Sequence, residues 1–306
     1  MYRFKNILFS PLSEHGNPAA IRRVGELAAG NGATLTLLGV VAEPSRLQRL
    51  LQNSAMLDEA VEAERSRLDK ALGRWVEHAP PGALTRVGVG DPALRVIEEV
   101  LGEGQDLVVV TNDDDRGGRA AVRQLLRKCP CPVWVIRPTR ARTQRVLAAV
   151  NPDPSEAELN RTILELATSM VDLHGGELHV LHAWELYGEA TMRSSAFMHV
   201  PPAALDELLD EERAKHSAAL DELVASSSVP ETACQVHLTK GEAAEVITAA
   251  VAQHRINLLV MGTVARTGVN AMVMGNTAER VLDEVSCSVI AVKPEDFVSP
   301  IRPRAE

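Results

Sequence analysis

The sequence has few aromatic residues and no excess of positive charge. Of its 306 residues, 3% are Phe, Trp or Tyr, and 41 acidic side chains outnumber 32 Lys and Arg, so that the formal net charge is −9. Single-stranded nucleic acid is held by stacking on aromatic rings in a basic groove. The composition therefore argues against nucleic acid as a partner and against adsorption to an anionic membrane.

Cysteines and long apolar runs are also scarce. The four cysteines, Cys129, Cys131, Cys234 and Cys287, do not form a disulfide framework. No stretch approaches the roughly 18 apolar residues that cross a bilayer. The first residues pass directly into a strand-like run and lack the apolar core of a signal peptide. We therefore expect a cytoplasmic protein without a membrane partner.

The sequence contains one alternation of strand and helix patterns that occurs twice. The matching strand segments of the first and second copies are 7–9 and 146–150, 107–110 and 258–261, and 131–136 and 287–292. A chain of this length can bury two separate cores. We therefore predict a first domain over residues 1–140 and a second over residues 141–306.

The near-continuous apolar strands predict parallel sheets that are covered by helices on both faces. Such sheets bind ligands beyond the carboxyl ends of their strands, where the strand order reverses. The residues that directly follow each strand are therefore the first place to look for function.

A glycine-bearing segment near the C-terminus has the strand–loop–helix order that is typical of phosphate-binding loops. The apolar run 258–261 leads into Gly262-Thr-Val-Ala-Arg266, and Gly275-Asn-Thr277 leads into a helical pattern that starts at Ala278. Backbone amides converge between a strand and a helix N-terminus, and the helix dipole favours an anion there. The segment predicts a phosphate-binding loop in the second domain.

No metal site is predicted. Cys129 and Cys131 have no second cysteine pair that would complete a zinc site. His179 and His182 lie three residues apart on one predicted strand, so that their side chains point to opposite faces. The acidic run 113–115 suits a hard divalent ion but lacks the ligand spacing of a calcium loop, and we interpret it as a solvated turn.

This arrangement resembles the universal stress protein family, and within it the tandem E-type members. The segments that carry the resemblance are 125–134 in the first copy and 146–151, 262–268 and 275–279 in the second. The resemblance implies two tandem domains of the adenine nucleotide alpha hydrolase-like fold. Each would have a five-stranded, mostly parallel sheet with helices on both faces.

The family's closing strands often mediate pairing. The resemblance therefore implies that residues 132–137 and 288–293 pair and join the two domains as an internal pseudo-dimer. We also expect a homodimer of the whole chain and further protein partners, neither of which can be read from the sequence.

Nucleotide-binding members of the family have a Gly-x2-Gly-x9-Gly-Ser/Thr motif and an aspartate after the first strand. By resemblance, the motif falls on Gly262, Ala265, Gly275 and Asn276, and the aspartate position is Asn151. Ala265 keeps its amide donor, although a left-handed backbone would cost about 1–2 kcal/mol there. Asn276 is a good N-cap residue, and Asn151 can hydrogen-bond adenosine without charge.

In the first copy, Leu12 takes the aspartate position, and the residues after Thr111 lack the spacing of the motif. The first domain is therefore interpreted as degenerate, without a phosphate loop. Arg266, within the loop of the second domain, can pair with phosphate. The nucleotide-binding residues that the resemblance implies are Asn151, Ala183, Met261, Gly262, Ala265, Arg266, Gly275, Asn276 and Thr277.

Two functional hypotheses stay open. The first is a non-catalytic stress-response protein that binds ATP or AMP in its second domain, with no metal beyond magnesium carried by the nucleotide. The second is a scaffold or interaction protein without nucleotide, or a carrier of a less polar ligand in the same cleft. Slow ATP hydrolysis lacks an evident general base near the loop. Residues 185–202 are interpreted as a surface loop or as a wall beside the site.

Overall fold

The computed structural model describes residues 4–12, 17–51, 54–111, 116–138, 143–194, 200–227, 229, 234–264 and 274–302. The predicted loop residues Ala265 and Arg266, the acidic run 113–115 and part of the segment 185–202 lie outside these ranges. By their contacts, the described residues divide into two compact units. The N-terminal unit holds those within Arg3–Thr139, Thr263–Gly275 and Ser286–Glu306, and the C-terminal unit those within Arg140–Gly262 and Asn276–Val285.

The N-terminal unit alternates strands with helices along the chain. In order, its elements are β1 (Asn6–Ser10), α1 (Pro18–Asn31), β2 (Thr34–Val41), α2 (Arg46–Leu51), α3 (Ser54–Val76), β3 (Leu84–Val89), α4 (Pro92–Glu103), β4 (Leu107–Thr111), α5 (Arg116–Lys128) and β5 (Val133–Ile136). The strand order is β3-β2-β1-β4-β5, and all neighbouring strands are parallel.

The C-terminal unit has the same alternation. In order, its elements are β6 (Gln144–Ala149), a 3₁₀ turn (Pro154–Glu156), α6 (Ala157–His174), β7 (Gly176–Trp184), α7 (Glu189–Ser194), α8 (Pro202–Ser226), β8 (Cys234–Lys240), α9 (Ala243–Gln253), β9 (Leu258–Gly262) and α10 (Asn276–Glu284). Its strand order is β9-β6-β7-β8, again with parallel neighbours.

The last strand, β10 (Ser288–Val292), belongs by its contacts to the N-terminal unit. It runs antiparallel to β5, with Val289 opposite Val135 and Ala291 opposite Val133. The predicted pairing of residues 132–137 with 288–293 is confirmed. The predicted tandem α/β fold with mostly parallel sheets is also confirmed.

The strands β4, β5 and β10 are buried at every residue. Their continuous apolar sequences are those of strands covered on both faces. Helix α4 begins where its sequence predicts, because the Asp91 side chain accepts a hydrogen bond from the Leu94 amide at 2.9 Å and Pro92 occupies the first turn.

The amino end of the first strand is anchored in the same way in both units. Asp106, just before β4, accepts hydrogen bonds from the amides of Lys5 at 2.6 Å and Asn6 at 3.1 Å. Asn257, just before β9, accepts from the Arg145 amide at 3.1 Å and donates to the Thr143 carbonyl at 2.7 Å. The sequence repeat is thus also a repeat of tertiary hydrogen bonds.

Across the described part of the chain, no helix combines the length and the apolar character that a membrane span requires.

Two adjacent glycines at the start of β7 give a matched test of backbone constraint. Gly175 has a φ of 68°, and a Cβ there would meet nothing within 4 Å, whereas at Gly176, with a φ of 151°, a Cβ would lie 2.1 Å from the Gln144 carbonyl oxygen. We predict that Gly175→Ala lowers the free energy of unfolding by about 1 kcal/mol. Gly176→Ala should lower it by about 1–3 kcal/mol more, because the backbone of β6 must also move. Urea denaturation measures both, and equal losses would contradict this account.

Candidate functional site

The strand order of the C-terminal unit reverses between β6 and β9. The chain leaves β6 through α6 and returns in β7 on one side, whereas β9 pairs with β6 on the other side. In open parallel sheets this reversal leaves a crevice at the carboxyl ends of the two strands, and ligands bind there. Residues that follow β6 and end β9 therefore form the candidate site.

Asn151 follows β6, and its main chain is clamped by a side chain of α6. The Asn151 amide donates to Asn160 Oδ1 at 3.1 Å, and Asn160 Nδ2 donates to the Asn151 carbonyl at 2.5 Å. Asn160 is 1% exposed, whereas the Asn151 side chain faces solvent. Sequence reasoning missed Asn160, although a polar residue next to Leu159 in the apolar stripe of α6 is a signal that could have indicated it.

Met261 and Gly262 end β9 beside this clamp, since Ala149 of β6 pairs with Met261. Met261 is buried. A Cβ at Gly262 would lie 2.9 Å from Cδ2 of Leu159. The glycine therefore allows close packing of α6 on β9, and a larger residue would displace the end of the Leu159 side chain.

Ala183 lies at the carboxyl end of β7, half-buried and paired with Thr239. The preceding residue, His182, donates from Nδ1 to the Val150 carbonyl at 3.2 Å and accepts at Nε2 from His216 Nδ1 at 2.8 Å. Burial lowers the pKa of His182 to about 4, so that its ring is neutral at physiological pH. Buried His182, bonded to half-buried His216, thus holds the main chain at Val150, the residue before Asn151.

The part of the candidate site that is predicted to bind phosphate includes the N-terminus of α10. Asn276 starts the helix and is exposed, and Thr277 follows half-buried. The amide of Gly275 donates to the Thr263 carbonyl at 3.0 Å, which fixes the backbone just before the helix.

Two cations in this region are held by carboxylates. Arg280, one turn into α10, contacts Glu242 and lies 3.6 Å from Glu245. Lys240, at the end of β8, lies 2.6 Å from a carboxylate oxygen of Glu189. An anion at the start of α10 would therefore rely on main-chain amides and on Arg266, which lies outside the described residues.

The equivalent edge of the N-terminal unit has a different character. Leu12, at the position of the family aspartate, has a φ of 46° and lines a cavity of about 520 Å³. Helix α3 contributes Leu57, Val61 and Leu68 to the wall, and the polar lining residues include Glu64. The lining of this edge thus combines aliphatic side chains with several polar ones.

Comparison with known proteins agrees with the fold. The model of the universal stress protein family matches residues 3–137 and 142–293. Universal stress protein E of Photorhabdus laumondii is 26% identical over 324 residues, which covers 100% of both chains. Universal stress protein E of Escherichia coli K12 is 28% identical over 220 residues, which covers 69% of this chain and 67% of that protein.

Two solved structures share the architecture. A functionally unknown protein from Pseudomonas aeruginosa PAO1 has a TM-score of 0.69 at 24% identity, covering 96% of this chain and 94% of its own. A universal stress protein from Archaeoglobus fulgidus has a TM-score of 0.59 at 17% identity, covering 95% and 97%. At these identities the structures show the fold alone. Because the family model matches both repeats, the chain belongs to the universal stress protein family.

Proposed function

We propose that this protein is a cytoplasmic stress-response protein whose second domain, residues 141–306, binds an adenine nucleotide, ATP or AMP, and retains it without chemical conversion. One observation carries the proposal. The two predicted segments around Asn151 and Gly262 end neighbouring strands where the strand order reverses, which is where such sheets bind ligands.

The adenosine half of the ligand would lie against β6 and β7. In this proposal Asn151 hydrogen-bonds the ribose or base, while Ala183 and Met261 supply small or apolar contacts. The clamp by Asn160 supports this role, because a main chain held by two hydrogen bonds presents its side chain with little entropic cost.

The phosphate half would lie at the start of α10. Gly262 and Gly275 would allow close approach of the backbone, and Asn276 and Thr277 would donate to phosphate oxygens at the positive end of the helix dipole. Ala265 and Arg266 would line the loop. With Arg280 held by Glu242 and Glu245, we expect modest affinity, in the micromolar to millimolar range.

Retention rather than hydrolysis is proposed because His182, a histidine next to the site, is unsuited to act as a base. Both of its ring nitrogens are engaged, by Val150 and by His216, and it is 4% exposed. A general base must reach the proton that it abstracts.

We predict that Asn276→Asp weakens ATP binding at least tenfold, because a carboxylate at the helix N-terminus repels phosphate. The same change should keep or raise stability by about 0.5 kcal/mol, since a negative charge there favours the helix dipole. Asn276→Ser, which places a hydroxyl at the exposed position, is the matched control and should bind ATP at least as well as the wild type. Calorimetric titration with ATP measures the affinities of the three proteins. Absence of binding by the wild type at millimolar ATP would reject the proposal.

The cavity of the N-terminal unit supports a second candidate function, a carrier of a low-polarity ligand. The cavity differs from the cleft of the second domain in position and in lining, since Leu12 and α3 form its wall. Apolar burial would supply the binding free energy there, at about 25 cal/mol per Å².

Val61→Asp tests this candidate, because Val61 lines the cavity. An uncharged fluorescent probe such as N-phenyl-1-naphthylamine should bind the wild type and lose at least fivefold in affinity in the variant. Met56→Asp, on the same helix but 69% exposed, should bind the probe as the wild type does. An equal loss of probe affinity in both variants would show that the probe adsorbs to the surface of α3 and does not occupy the cavity.

The buried His182 also predicts acid sensitivity. Its folded pKa of about 4 lies below the unfolded value near 6.5, so that the unfolded state binds more protons as the pH falls from about 6.5 to 4. Stability should therefore fall across this window, by up to about 3 kcal/mol from this group. Unfolding free energies at pH 7 and pH 5 should differ less in His182→Gln than in the wild type. The exposed His78 gives the control, since His78→Gln should leave the difference unchanged.

A further inference from the structure

Three histidines that are distant in sequence meet on one face of the C-terminal sheet. His179 lies in β7, His237 in β8, and His254 directly follows α9. One ring nitrogen of each lies within 4.8 Å of the others, and the ring centroids are 4.5–5.3 Å apart. Sequence reasoning compared His179 only with His182, which indeed lies on the opposite face, and missed the two partners that folding supplies.

The register of the strands explains the meeting. His237 pairs with Leu181, two residues beyond His179 on β7. Paired residues of parallel strands point to the same face, as do residues two apart on one strand. His179 and His237 therefore share a face, and α9, which packs against β7, brings His254 to them.

We propose that His179, His237 and His254 form a binding site for a zinc-class divalent cation, with a fourth position open to water. Three imidazoles with an open position are a known ligand set for zinc. Imidazole suits zinc, copper and nickel, whereas magnesium and calcium require oxygen ligands.

One of the three nitrogen pairs already has nearly the spacing that a coordinated ion requires. His179 Nδ1 and His237 Nε2 are 3.0 Å apart, and two nitrogens at 2.0–2.1 Å from a tetrahedral zinc are about 3.4 Å apart. The two rings need to separate by only a few tenths of an ångström. His237 and His254 are half-buried, which gives them room to adjust and gives an ion access from solvent.

The carboxylate of Glu177 lies near the second ring nitrogen of the buried ligand His179. With Nδ1 turned to the ion, His179 Nε2 lies 3.8 Å from Glu177 Oε2, and within the described part of the structure this nitrogen is buried without a hydrogen bond. Metal-binding histidines commonly donate their second N–H to such a carboxylate. Glu177 is itself fixed by Arg145 Nε at 3.1 Å, and its charge offsets that of the guanidinium.

The site is separate from the proposed nucleotide site. His179 lies in the amino half of β7, on the face opposite His182, while the nucleotide is proposed at the carboxyl end. Zinc binding would join β7, β8 and the end of α9, which would stabilise the sheet without contact to the loop at Gly262.

The test uses the untagged full chain after removal of metal with a chelator. Zinc titration, by calorimetry and by competition with a chromophoric chelator, should give one high-affinity site per chain and a rise in melting temperature at excess zinc. Cobalt in place of zinc should give the visible absorption of a tetrahedral, nitrogen-ligated ion.

His237→Gln and His254→Gln should each weaken zinc binding at least tenfold, and the double variant should abolish the high-affinity site. Both positions are half-buried, so that the variants are expected to fold, which circular dichroism checks. His216→Gln, a half-buried histidine outside the three, is the matched control and should bind zinc as the wild type does. Glu177→Gln should weaken binding about tenfold through His179.

Equal zinc affinity and stoichiometry in the wild type and the double variant would overturn the proposal. An equal loss in His216→Gln would overturn it as well, because binding would then be a general property of histidine content. A negative ATP titration would not affect the site, so that the two proposals can fail independently.

Discussion

The fold depends on one constraint, that the first strand of each repeat is the inner strand of a parallel sheet. β1 is held between β2 and β4, and β6 between β7 and β9. Each inner strand is therefore paired on both sides, and its amino end is tied by Asp106 or Asn257. Because the later strands must be added on opposite sides of it, each repeat has a crevice at the carboxyl end of this strand.

The two carboxyl ends are built differently, although the amino ends match. After β1, Leu12 adopts a left-handed backbone, which costs a leucine about 1–2 kcal/mol, and lines a cavity whose wall mixes aliphatic and polar side chains. After β6, Asn151 is held by two hydrogen bonds from Asn160. The two edges therefore differ in chemistry, since a left-handed leucine lines the first and a main chain fixed by amide hydrogen bonds forms the second.

Much of the fold was predictable from the sequence because its signals are local. The buried strands are continuous apolar runs, and Asp91-Pro92 indicates the start of α4 within three residues of chain. Asn160, His237 and His254 were not predictable in this way, since their roles depend on strand register and on the packing of α6 and α9. Gly262 was singled out for a loop, yet its close packing contact is with Leu159, a residue more than a hundred positions earlier in the chain.

The two faces of strand β7 in the C-terminal unit carry histidines that have different partners. His182 is neutral, buried and bonded on both nitrogens, so it supports the cleft but has no lone pair for a metal. His179, three residues earlier, keeps one nitrogen close to His237 and has a carboxylate behind the other. Two buried histidines on one strand thus differ in the groups that their ring nitrogens meet. Burial alone predicts that a histidine is neutral, and only the groups around it determine whether that neutrality serves packing or metal binding.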